Sequence, residues 1–526
     1  MILYRAFATV GGLTMVSRVL GFIRDILIAA VLGTGFIADA FFVAFRFPNL
    51  FRRLFGEGAF NSAFVPLLAR RLEGAGEMNA RRFAEDAMSG LGFILLIFSA
   101  FAMLTMPWLM LIMAPGFTNE PQKFELAVAL TRIAFPYLFC MSLVALLSGV
   151  LNTYNRFWVA AAAPIILNII LISAIIFAIA TGHAQRIEAG FILATGVAIA
   201  GFAQLIMLWC ALRQAGIRLS LRLPRYNRAM KRLVKLGIPG IIAGGITQIN
   251  IVIGTIIASL QAGAVSFLYY ADRLYQLPLG IVGIAIGTVL LPDLARKLRA
   301  GNMAAAHESQ NRSLEFALLF TLPAAIALAA AAEPIISVLF ERGAFTASDT
   351  AATAQALVAF SIGLPAFVLI KVFQPAFFAR EDTSTPMWFS GIAMVVNVIG
   401  SLVLFYWFQM QGWLPHVGIA LATSIAGWVN ALLLWLVLAR QGTFIWDHKL
   451  QRNLPVIFLA SVLMGAALWS AMPYIQPFML ASAPLFTRIA GLFILVVGSM
   501  TVFFSLLALI GQFRFRQLFS RNENIN

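Results

Sequence analysis

Val65-Pro66-Leu67-Leu68-Ala69-Arg70-Arg71-Leu72 returns as Leu291-Pro292-Asp293-Leu294-Ala295-Arg296-Lys297-Leu298, 226 residues further on by the two prolines. The run from Pro107 to Gly116-Phe117-Thr118 returns as Pro334 to Gly343-Ala344-Phe345-Thr346, shifted by 227. Two matches in nearly one register indicate an internal repeat. What lies between the copies decides the fold.

The intervening sequence is almost wholly apolar. Of 526 residues, 61% are hydrophobic and 11% charged, against about 45–50% and about 25% in an ordinary soluble domain. A spanning helix needs about 20 mostly apolar residues. About fourteen candidates fit, near 8–32, 36–68, 85–113, 124–153, 158–182, 189–212, 236–260, 264–294, 314–339, 350–378, 386–409, 417–439, 454–474 and 489–510. Pro48 and Pro278 should bend the two long ones that contain them. The expected class is an all-α integral membrane protein.

The repeat length covers six spans. An even number preserves orientation, so the two six-helix repeats are parallel about an axis along the membrane normal. Proteins built this way bind substrate at the repeat interface and work by rocking one half against the other. The expected divisions are an N-terminal half at 1–216, a basic amphipathic linker at 217–235, a second half at 236–441, and two additional helices with a tail at 442–526.

Charge placement orients the chain. The net charge is +16. With the N-terminus inside, most basic residues fall in the inner connections. The outer ones hold only Lys123, Arg186, Arg342 and Arg488. That bias follows the positive-inside rule and places both termini in the cytoplasm. It also explains the basicity without nucleic acid, for which no extramembrane segment is large enough. The linker, Ile217 to Lys235, reads as an interfacial stretch or as a plain solvated connection. No cleavage signal is evident, so the first hydrophobic segment is expected to be retained.

Arg18, Arg24, Arg46, Arg52, Arg53, Arg132, Arg273 and Lys371 remain within spans. A charge at a helix centre costs roughly 2.5–3.5 kcal/mol on insertion scales, and such residues are functional candidates by default. Five of these lie in the first two spans. Positions seven apart lie about 20° apart around a helix. Arg18 therefore shares a stripe with Asp25, and Asp39, Arg46 and Arg53 form another, with Glu57 one turn beyond. Asp272 and Arg273 add a pair from the second half. The plain alternative is ion pairing between helices, such as Arg24 with Asp39 or Arg53 with Glu57. Against it, the acids Asp25, Asp39, Glu57 and Asp272 are too few for Arg18, Arg24, Arg46, Arg52, Arg53 and Arg273. A net positive site remains, and the planar guanidinium fork suits phosphate and pyrophosphate. The substrate is expected to be anionic.

Other chemistry is absent from the pattern. Cys140 and Cys210 lie in apolar runs, and the four histidines show no ligand spacing. There is no P-loop, nucleophile elbow or HExxH motif. Neither an enzyme nor a bound metal or cofactor is expected.

Ser17-Arg18-Val19-Leu20-Gly21-Phe22-Ile23-Arg24-Asp25, Asp39 to Leu50, Arg52 to Phe60, and Tyr269-Tyr270-Ala271-Asp272-Arg273-Leu274 resemble the MurJ (MviN) lipid II flippases of the MOP exporter superfamily. The similarity runs the whole chain. It implies that Arg18, Arg24, Arg52 and Arg273 match the family's cavity arginines, Asp39 its cavity acid, and Arg53 with Glu57 a charge pair. Asp25, Arg46 and Asp272 fall among the charge-pair or gating positions. One departure is Gln276, where some members carry an acid. The implied substrate is lipid II, undecaprenyl-pyrophosphate carrying a disaccharide-pentapeptide. It would be flipped from the inner to the outer leaflet of the bacterial cytoplasmic membrane by alternating access. The last two helices would form a groove for the polyprenyl tail. Membrane lipids are further expected partners, as are cell-wall synthesis or division proteins. The alternative is another exporter of that superfamily, for polyprenyl-linked oligosaccharide.

Overall fold

In hydrocarbon each backbone amide must be satisfied within the protein, which confines a spanning chain to helices or a closed barrel. The computed structural model describes residues 2–52, 59–224 and 227–510, and among them there are helices and no strand. α1 is Ile2–Leu32, α2 Phe36–Arg52, α3 Ala59–Leu104, α4 Met106–Met113, α5 Pro121–Ala134, α6 Pro136–Thr153, α7 Phe157–Ala180, α8 Ile187–Gln214 and α9 Arg228–Ala258. α10 is Ala264–Arg299, α11 Met303–Ala330, α12 Ala332–Phe340, α13 Ala347–Phe378, α14 Ser384–Met410, α15 Pro415–Arg440, α16 His448–Met479 and α17 Leu485–Leu509.

Among the described residues, 10 stretches are long and apolar enough to cross a membrane. The remaining candidates are α1, α2, α9 and α10. Three of these, α1, α2 and α10, carry the charged candidate residues. Among the described residues, three expected spans are broken. The span read at 85–113 is interrupted at Thr105, that at 124–153 at Phe135, and that at 314–339 at Ala331. Pro107 and Pro136 sit in the first turns after their breaks, where a missing amide hydrogen costs nothing. α3 also bends at Gly76, whose φ of 80° leaves the helical region.

The chain forms two compact units, Met1–Ser266 with Gly343–Phe345, and Phe267–Arg342 with Thr346–Asn526. In the first, α1 packs on α7, α7 on α8, α6 on α8 and α3, α2 on α5, and α9 on α3. In the second, α13 packs on α11 and α15, α14 on α15, and α16 on α11 and α17. Its core joins Val282, Ile286, Leu290 and Leu294 of α10 to Leu314 and Leu318 of α11, Val372 and Phe373 of α13, and Leu434 and Leu438 of α15. The four-residue spacing on α10 is the apolar face of a helix packed on one side.

Residues 217–224 are not helical. Ser220 donates to the buried Glu85 of α3 through its amide at 3.0 Å and its hydroxyl at 2.9 Å. Arg222 pairs with Glu85 at 2.9 Å, and Arg81 at 3.0 Å. Arg222 N also donates to Ser89 at 3.1 Å and Asn227 to Asp86 at 2.6 Å, so the basic linker is fastened to α3 at several points, with Glu85 taking the most bonds.

The repeated glycines have a structural counterpart. Gly116 donates to Ser259 Oγ at 3.1 Å, and a Cβ on it would lie 2.1 Å from Ser259 O at the end of α9. Gly343, at φ +59, would place a Cβ 2.2 Å from Ala30 O near the end of α1. Ala344 N donates to that same oxygen at 2.8 Å. Each repeat therefore sends a glycine loop to the end of the first helix of the other. Both contacts lie within the first unit.

Gly343→Val adds a β-branched side chain at a left-handed φ and against a carbonyl. It should cost about 1–3 kcal/mol and lower the thermal unfolding midpoint of the purified protein. An unchanged midpoint would refute the close contact.

Candidate functional site

Arg24 is 6% exposed, in the C-terminal third of α1. Its neighbour Asp25 takes Nε at 3.0 Å and Nη2 at 2.7 Å on one oxygen. Asn168 of α7 accepts from Nη1 at 2.9 Å and donates to the Ser17 carbonyl at 2.9 Å. The guanidinium also lies over the Phe45 ring, 5.8 Å from its centroid. One asparagine thereby fixes the angle of Arg24 and fastens α7 to α1. Arg24 is held in place, so its charge is presented without reorganisation.

Arg18 contrasts with it. Its side chain is exposed, and among the described residues it has no ion pair or hydrogen bond. The nearby acid on its stripe, Asp25, is engaged by Arg24.

Asp39, near the start of α2, is 0% exposed. Its Oδ2 accepts from Lys123 Nζ and from the Gly263 amide, each at 2.8 Å. Its Oδ1 accepts from the Ser266 amide at 3.0 Å and the Ser266 hydroxyl at 2.7 Å. The carboxylate thus sits on the first amides of α10, where helix dipole and unpaired donors favour an anion. Lys123, in the first turn of α5, is itself 2% exposed and lies 4.4 Å from the Phe117 ring centroid. The pairing expected as an alternative, Arg24 with Asp39, is not the one made. Each has another partner.

Arg46 is half-buried on α2 and donates to Thr255 of α9 at 3.0 Å. Arg52 closes α2, but its side chain, together with Arg53 and Glu57, lies outside the described residues. In the second unit, Arg273 donates to Tyr269 Oη at 2.9 Å and lies 4.7 Å from that ring's centroid, one helical turn back. Asp272 accepts from Gln276.

Lys123, Asn168 and Thr255 were not marked by the sequence reading. Asn168 had a signal, an amide within the otherwise apolar stretch 157–180. Lys123 had none, because a lysine in an outer connection reads as solvated. No group of acids, histidines or cysteines able to hold a metal occurs among the described residues.

A family model described as "Lipid II flippase MurJ" matches residues 28–485. The "Probable lipid II flippase MurJ" of Rhizobium meliloti (strain 1021) is 49% identical over 506 residues, 96% of this chain and 93% of that protein. The "Lipid II flippase MurJ" of Burkholderia cenocepacia is 36% identical over 487 residues, 90% and 91% of the two chains. Among solved structures, "Lipid II flippase MurJ, inward closed conformation" aligns with TM-score 0.77 at 26% identity, covering 97% of this chain and 99% of that one. An inward-facing MATE family multidrug transporter aligns with TM-score 0.65 at 15% identity over 83% of this chain and 98% of its own, a likeness of fold.

Asp39→Asn strands a buried lysine. Removing one member of such a pair costs about 3–5 kcal/mol. Lys123→Met in the same chain should recover part of that loss, measured as the unfolding midpoint of the two single variants and the double. If the two losses simply add, the pair is not coupled.

Proposed function

The chain belongs to the MurJ family of lipid II flippases, and from that premise we propose how its own residues carry the substrate. It is a multi-pass membrane protein that moves lipid II from the inner to the outer leaflet by alternating access. The membrane is the bacterial cytoplasmic membrane, with both termini in the cytoplasm, in keeping with the charge bias of the connections. The chain is a transporter and performs no covalent step.

The observation that carries the site assignment is the contrast between two arginines on one helix. Arg24 is buried, aimed and fastened by Asp25 and Asn168. Arg18 is exposed, with no carboxylate on it among the described residues. Both contact the substrate diphosphate: Arg24 as the preorganised donor, Arg18 as the group that first meets it. Arg52 and Arg273 each contact the diphosphate at some stage of the cycle. A bidentate guanidinium–phosphate contact is the geometry for which arginine exceeds lysine.

Asp39 acts differently. Both its oxygens are occupied by Lys123, Gly263 and Ser266. Its contribution is to hold α2, α5 and the start of α10 together, and a substrate contact requires that cluster to open. Asp25, Arg46, Arg53, Glu57 and Asp272 serve as pairs or gating groups. The two helices past the second repeat, α16 and α17, expose a largely apolar surface, including Phe458, Leu459, Phe493 and Ile494. This suits the polyprenyl tail, which stays in the bilayer. Membrane lipids, and cell-wall synthesis or division proteins, complete the proposed partners.

Cells depleted of the protein should fail to expose lipid II on the outer leaflet. Normal exposure would overturn the flippase reading. Among the described residues Arg18 makes no hydrogen bond or ion pair. Arg18→Ala should therefore shift stability by less than about 0.5 kcal/mol yet lower transport by about tenfold or more, the worth of one charge-assisted contact. Normal transport in each of Arg18→Ala, Arg24→Ala and Arg273→Ala would return these residues to a purely structural role.

A further inference from the structure

Four basic residues fall in connections assigned to the outer side: Lys123, Arg186, Arg342 and Arg488. Lys123 is neutralised by Asp39, and Arg186 is exposed to solvent. The other two are brought together in the second unit. Arg488, at the start of α17, is 5% exposed. It donates to the carbonyls of Ser337 and Glu341 at the end of α12, the latter at 3.2 Å from Nη2 and 3.3 Å from Nη1. Arg342 follows Glu341 directly and donates to the Val338 carbonyl at 2.5 Å.

Among the described residues, the hydrogen bonds of these two guanidinium groups all go to backbone carbonyls. No carboxylate lies within ion-pairing distance of either among the described residues. The nearest acid in sequence, Glu341, is engaged by the Thr350 hydroxyl at 2.8 Å. The Nε–H of Arg342 and that of Arg488 are both buried without a partner among the described residues. Burial lowers the Arg342 pKa, and Arg488 lowers it further, so each charge feels the other.

Capping a helix end explains one arginine and not two. A helix C-terminus carries the equivalent of about −0.5 charge. Two guanidinium groups on α12 leave an excess of about +1.5 in a region of low accessibility. Beside them α17 presents Leu485, Phe486 and Ile489, exposed by 51%, 83% and 53%. An apolar tail could lie there while its headgroup reaches the arginines.

We propose that Arg342 and Arg488 form an anion site for a phosphoryl group, separate from the arginines of α1 and α2. Its ligand is the phosphate of an anionic lipid headgroup or free phosphate, and two Nε–H donors with two positive charges are its recognition chemistry. Occupancy ties α12 to α17 and so fixes the base of the last two helices. The site stands on this geometry alone and is independent of the substrate assignment above.

The test uses the full chain in phosphatidylcholine nanodiscs and phosphate-free buffer, reading the thermal unfolding midpoint. Phosphatidylglycerol is then added to the bilayer, or inorganic phosphate to the buffer. One of them should raise the midpoint by about 2–3 °C at saturation, and which one does identifies the source. The rise should persist in Arg186→Gln and vanish in Arg342→Gln and Arg488→Gln. Without added anion, Arg342→Gln should be at least as stable as the parent, because a repulsion has been removed. If Arg488→Gln fails to fold through loss of the α12 carbonyl contacts, Arg342→Gln decides. No rise with either anion, a rise that survives Arg342→Gln, or an Arg342→Gln less stable than the parent without anion would each overturn the site.

Discussion

A carboxylate with no exposed surface has to be paid for by its neighbours, and Asp39 shows how. Transferring an ion out of water costs several kcal/mol even after relaxation. Asp39 meets that cost with one ammonium, two amides and one hydroxyl, which occupy both of its oxygens. The donors come from the first turn of α5, from Gly263 just before α10 and from Ser266 in the first turn of α10. The carboxylate therefore selects one arrangement of three helices, because no other brings four donors to one point. Much of the first unit's geometry near this end follows. The start of α10 is held, and α2 is fixed along the stripe that also carries Arg46.

The two glycine loops act at the backbone level in the same region. A side chain at Gly116 or Gly343 would overlap a carbonyl of another helix end, so the approach exists only because both residues lack Cβ. This is also why the repeat was legible here. Sequence drifts freely wherever apolar side chains can be exchanged, but a backbone-to-backbone contact admits one residue type. The glycine shared by Gly116-Phe117-Thr118 and Gly343-Ala344-Phe345-Thr346 marks a geometric requirement met twice.

Other parts were legible for similar reasons. The helical class followed from apolarity and length, and the charged helices from arginines that a bilayer should exclude. What escaped were partners. Lys123 lies 84 residues from Asp39 and Asn168 144 from Arg24, and nothing local distinguishes a lysine that folds inward from one that faces water. The helix breaks at Thr105, Phe135 and Ala331 escaped too, since apolar composition continues across them. Proline marked the first two only in retrospect, because it is tolerated inside α2 and α10 as well.

Counting charges by span made the arginines outnumber the acids, and the structure changes what that count means. Asp25 is committed to Arg24, and Asp39 to a lysine that the count had placed elsewhere. The described acids of α1 and α2 are both spent within the protein, so neither is left to neutralise Arg18. Had Asp39 paired with an arginine instead, the excess would have been one smaller and the fastening at α10 would be missing. A lysine reaching in from α5 satisfies Asp39 without the use of an arginine. The preference is physical: an ammonium is a compact charge suited to filling a fixed pocket, and a guanidinium presents the fork that a phosphate oxygen pair requires. With a lysine in the structural pair, α2 and α5 are fastened at Asp39 while Arg18 of α1 keeps an exposed positive charge.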